Sequence, residues 1–186
     1  MTSSDIIRWG GIATMLGGVL WVVWSNLFRV SPQAAFGPFS HVVLLLAALL
    51  TLAGLVGLHA LQGDNYGRIG RAGFYTAAVR LLAQALAPLV LLMGSEAVFL
   101  QWLVAPFGSL AEMVGLVLYG GASLQARVLA RWCGLALIVV PPIAFYMNSK
   151  VFYGSLALFG VLWVALGYVL WSWRGTPAEQ QPSRVR

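Results

Sequence analysis

The chain has 186 residues, of which 60% are hydrophobic and only 9% charged. An ordinary soluble domain carries about 25% charged residues, and the mean hydropathy here is +0.86. These figures argue against a soluble globular protein, a disordered chain and a disulfide scaffold; the single cysteine, Cys133, permits no intramolecular bridge.

A membrane span needs about 20 mostly apolar residues. Six stretches qualify: 8–29, 39–61, 72–94, 99–120, 127–148 and 152–174. The expected fold is all-α, a polytopic membrane helix bundle of six transmembrane helices. It forms one domain over residues 1–175, with a polar cytoplasmic tail, 176–186, expected to be disordered. Short connections favour antiparallel neighbours.

In the first stretch Asp5 precedes Arg8, and the apolar run Trp9 to Phe28 exceeds the short core of a secretory signal. It reads as a retained span. Gly10, Thr14 and Gly18 repeat along one face, a pattern that lets helix backbones approach closely. In the second stretch Ala53 and Gly57 do the same, and His41 and His59 stand eighteen residues apart. That is about 27 Å along a helix, so the two cannot share a metal ion or a haem; they read as residues near the span's two ends. The turn Gly63 to Arg71 is glycine-rich, but no strand precedes it, so it is a tight turn rather than a phosphate cradle.

The third and fourth stretches carry the informative residues. Thr76, Arg80 and Gln84 fall at four-residue spacing, followed by Pro88. Gly108, Glu112, Gly115 and Tyr119 share a face of the fourth stretch, with Ser109 beside them and Pro106 before them. Arg80 and Glu112 are the ionisable residues deep inside spans. Both lie eight residues from the same boundary, about 12 Å in depth, and symmetric about a hairpin turn near Glu96. The register predicts an ion pair between adjacent antiparallel helices, with Gln84, Ser109, Thr76 and Tyr119 available to complete its hydrogen bonding. In the fifth stretch Cys133 reads as a small packed residue. Pro141 and Pro142, like Pro88, withdraw amide donors and mark candidate helix breaks.

Aromatics cluster at span ends: Trp9, Trp132, Trp171 and Trp173 at one level, and Trp24, Phe36, Phe39, Trp102, Tyr146 and Tyr153 at the other. They read as interfacial anchors. Basic residues divide unevenly. The side holding Arg8 also holds Arg68, Arg71, Arg127, Arg131, Arg174, Arg184 and Arg186; the other side holds Arg29 and Lys150. The positive-inside rule then places both termini in the cytoplasm of a bacterial-type inner membrane. The net charge of +6 is a topology signal, with attraction to anionic lipid headgroups, rather than a nucleic-acid footprint. Arg8, Arg71 and Arg131 recur about every 60 residues at span starts. Three related hairpins would explain this, and so would the need of every inward-facing helix start for a cation.

Three functional readings follow. The first is a non-catalytic membrane protein whose bundle is braced by the Arg80–Glu112 pair. The second is a small transporter or channel-like protein with Glu112 as an ion or proton site and the prolines as moving parts. The third is an intramembrane enzyme, which lacks a second carboxylate, a histidine or a metal near Glu112. No cofactor or metal is expected, and a protein partner or homo-oligomer is left open.

Overall fold

The computed structural model describes residues 3–31, 37–63, 65–92, 98–151 and 156–173. Phe36, Asp64, Glu96, Tyr153 and the tail 176–186, like the side chains of Arg29, Trp102, Pro106 and Lys150, lie outside the described residues. Among the described residues the chain is all-helical, with α1 Ser3–Val30, α2 Pro38–Gln62, α3 Gly67–Leu92, α4 Val98–Ala126, α5 Arg131–Val151 and α6 Leu156–Ser172.

The helix ends follow from local chemistry. Pro38 occupies the first turn of α2, where its missing amide costs nothing. Gly63 ends α2 with φ 55°, a left-handed conformation that glycine adopts freely, and its amide donates to the His59 carbonyl. Arg127 ends α4 in the same region, φ 54°, with its amide bonded to the Ser123 carbonyl.

Each helix packs on its neighbours in chain order, and α6 closes the ring on α1. Glycines set the closest approaches. A Cβ at Gly18 would stand 2.5 Å from the Gly160 carbonyl oxygen on α6, and one at Gly120 2.8 Å from that of Gly134 on α5. Gly73 faces the backbone of Tyr119, and Gly115 faces that of Ala77. These pairings make α3 and α4 antiparallel and set Arg80 level with Glu112. The α1–α6 and α1–α2 packings are the most extensive, whereas α5 and α6 touch little. The third hairpin thus packs differently from the first two.

The core runs through the ring. Trp21, Leu55, Leu58, Leu81, Leu116, Leu137, Trp163 and Leu166 are fully or almost fully buried. The outer surface is also apolar. Leu16, Leu46, Val79, Val114, Val139 and Val161, one from each helix in turn, are all more than two-fifths exposed. Every helix therefore shows aliphatic side chains outward.

Among the described residues two helices, Asp5–Leu27 and Pro38–Gln62, are long and apolar enough to cross a membrane; Arg131–Met147 and Leu156–Ser172 are apolar but shorter. The six helices are therefore present, and two of them meet a span's length and composition. Arg68, Arg71, Arg80 and Gln84 lower the apolar content of α3. The helix stays continuous through Pro88, as α5 does through Pro141 and Pro142, so none of these prolines interrupts its helix.

Candidate functional site

Arg80 and Gln84 stand one turn apart on α3, and Ser109 and Glu112 one turn apart on α4. Because the two helices are in register at Gly73–Tyr119 and Ala77–Gly115, these four side chains face one space. They line a cavity of about 90 Å³, together with Trp21 of α1, Pro141 and Phe145 of α5, and Phe159 of α6. A water needs roughly 10–15 Å³ measured this way, so the cavity has room for several.

Arg80 and Glu112 line this space from adjacent helices, without an ion pair within 4.0 Å among the described residues. Three buried polar atoms here have no hydrogen-bond partner among the described residues: Arg80 Nε, Glu112 Oε1 and Gln84 Oε1. Buried polar atoms are normally paired, and an orphan calls for an explanation. Gln62 Oε1, the Tyr119 hydroxyl and the Trp163 and Trp173 indole N–H groups are unpartnered elsewhere among the described residues, but here three such atoms, one of them on a cation and one on a carboxyl, belong to residues that line one space.

The cavity forms where α5 and α6 part. Pro141 is buried at its wall and supplies no amide to the Leu137 carbonyl one turn back. Trp21 forms the α1 wall; its indole N–H donates to Thr51 Oγ1 at 3.1 Å, and its ring meets Phe159 edge to face at 5.7 Å. That hydrogen bond fixes the ring against the space.

Two of the residues singled out from sequence lie elsewhere. Thr76 donates its hydroxyl to the Ala72 carbonyl at 2.8 Å, and its Cβ lies against the Gly115 backbone. The helices are too close there to leave a space. Tyr119 stands seven residues from Glu112, about 10 Å along α4, and does not line the cavity. It joins a second cluster at the end of the bundle where α1, α3 and α5 begin. There His59 stacks on Phe74 with ring centres 4.1 Å apart, Tyr66 hydrogen-bonds His59 Nδ1, and the Tyr66 and Tyr119 rings meet edge to face. Of the prolines, Pro141 lines the cavity, whereas Pro88 and Pro142 do not. Trp21, Phe145 and Phe159 escape a sequence reading because an aromatic on an apolar helix looks the same whether it faces a core or a cavity.

Beside the second cluster, Gln62 Nε2 donates to Ser123 Oγ at 2.7 Å, and the Ser123 hydroxyl donates in turn to the Tyr119 carbonyl. This chain ties the end of α2 to α4.

In comparisons with protein-family models, curated proteins and solved structures, the chain matches none.

Proposed function

We propose that this chain is an integral membrane protein of six membrane helices, and that the Arg80–Glu112 cavity is a binding site for a proton or small polar solute, as in a small transporter. The orphaned trio of Arg80 Nε, Glu112 Oε1 and Gln84 Oε1 around one cavity carries this reading. A brace would turn its donors onto its acceptors; a binding site keeps some of them for a guest. Charged groups at membrane depth face partners or water-filled cavities and mark solute and proton pathways. Glu112 is the proton-accepting group in this scheme, and Arg80 is its counter-charge. Gln84 offers a neutral amide to a guest or to water.

The membrane reading rests on the aliphatic side chains that all six helices turn outward, since large exposed apolar surfaces mark membrane or partner contact. It also rests on the exposed Arg8, Arg68, Arg71, Arg127 and Arg131 gathered at one end. By the positive-inside rule that end is cytoplasmic, in a bacterial-type inner membrane. The brace is the second reading, favoured by the level placement of Arg80 and Glu112 on adjacent helices.

Proton flux into proteoliposomes, read with an enclosed pH-sensitive dye under an imposed potassium diffusion potential, tests the proposal. The wild-type chain is expected to carry a flux that Glu112→Gln abolishes while still reconstituting as a folded protein. Equal flux through wild type and Glu112→Gln contradicts a role for this carboxyl in proton movement.

A further inference from the structure

A second cavity, of about 310 Å³, lies between the end of α2 and the start of α3, lined by His59, Ala60, Gly63, Arg71 and Tyr75. Its donor set is a guanidinium, an imidazole and a phenol. Tyr66 and Phe74 hold the imidazole on two sides, by the hydrogen bond to Nδ1 and by the ring stack. Arg71 adds a planar fork of donors suited to two oxygens of one oxyanion.

The surroundings say what kind of oxyanion fits. The cavity sits at the arginine-rich end of the bundle, with Arg68 one turn from Arg71. Below it the same outward stripe of α3 continues as Tyr75, Val79, Leu82 and Leu86, exposed by 60%, 66%, 48% and 51%. On α2 the stripe through Ala60 continues as Val56, also outward. A polar, cationic pocket thus lies beside an exposed, mostly aliphatic stripe on the outside of the bundle. That is the profile of a phospholipid, with an anionic head and hydrocarbon tails. Basic pockets between membrane helices on the cytoplasmic side bind such heads.

We infer that His59, Arg71 and Tyr75 form a binding site for the phosphate head of an anionic phospholipid, whose acyl chains lie along Val56, Val79 and Leu82. The site rests on the membrane reading but not on the role of the Arg80–Glu112 cavity.

The test is thermal unfolding in mild detergent with added phosphatidylglycerol, phosphatidylcholine or inorganic phosphate. A ligand of the folded state raises Tm saturably. Phosphatidylglycerol is expected to do so, and phosphatidylcholine, whose head carries a compensating ammonium, to do so less. Arg71→Gln, which keeps a polar side chain at an exposed position, is expected to raise the half-saturating phosphatidylglycerol concentration about tenfold, the effect of one lost charged hydrogen bond. Tyr75→Phe is expected to raise it by a smaller factor. Arg68→Gln and Glu112→Gln are expected to leave it unchanged; the latter separates this site from the cavity. Equal losses in Arg68→Gln and Arg71→Gln would reduce the effect to general surface attraction and overturn the site. So would an equal shift from phosphatidylcholine. An equal shift from inorganic phosphate would make the ligand a soluble anion and overturn the lipid assignment.

Discussion

Single residues decide how polar groups live inside this bundle. Gln62 and Ser123 are buried, and the hydrogen bonds that link them to each other and to the Tyr119 carbonyl both measure 2.7 Å. Ser123→Ala removes the acceptor of a buried amide and leaves the Gln62 N–H groups without one. A loss of about 1–3 kcal/mol in unfolding free energy is expected, read by denaturant titration in detergent. Trp21 and Thr51 make a cleaner pair. Trp21→Phe and Thr51→Val each break the 3.1 Å bond, and the double variant should lose less than the sum of the singles. At this scale the sequence was informative for Arg80, Gln84, Ser109 and Glu112, because charge and amide groups are conspicuous in an apolar helix. It was silent on Trp21, because burial against a cavity and burial in a core demand the same side chain.

At the scale of elements, glycine rows govern which helices touch. Gly18→Ala would drive a methyl to 2.5 Å from the Gly160 carbonyl oxygen and force α1 from α6. A loss of about 1–3 kcal/mol is expected. Gly121→Ala is the control. Nothing lies within 4 Å of its added Cβ, so the substitution should be neutral or stabilise by up to about 1 kcal/mol through helix propensity. Melting both variants in the same detergent checks the pair. The sequence showed all six helices because long apolar runs leave little choice, yet it placed several ends wrongly. Hydropathy marks the apolar window, whereas backbone hydrogen bonding continues past it. Thus α3 begins at Gly67, before the window at 72, and α4 runs on to Ala126, past 120, until Arg127 turns left-handed. The closure of α6 on α1 was hidden for another reason. Its contacts join the two ends of the chain, and nothing local in either helix names its partner.

For the whole molecule, the ring of helices turns aliphatic side chains outward and gathers its exposed arginines at one end. If that end is cytoplasmic, single cysteines report it in a Cys133→Ala background. Phe39→Cys, at a site 67% exposed near the opposite end, should react with a membrane-impermeant maleimide on intact right-side-out vesicles. Arg68→Cys should react only after permeabilisation. The reverse pattern would invert the topology. Ring closure also explains the cavity. With α6 drawn onto α1 and α5 onto α4, the two helices part, and the space between them reaches Arg80 and Glu112.

The stability of Arg80→Gln, Glu112→Gln and the double variant in mild detergent tests the central claim, that this cavity is kept for a guest rather than as a clasp. Room for water beside both groups means that either survivor stays solvated when its partner is neutralised. Each single variant should therefore fall within about 1 kcal/mol of wild type, the range of an ordinary hydrogen bond. Losses of about 3–5 kcal/mol in each single variant, as expected when one partner of a sealed ion pair is removed, with recovery in the double variant, would contradict the account and make the pair a brace.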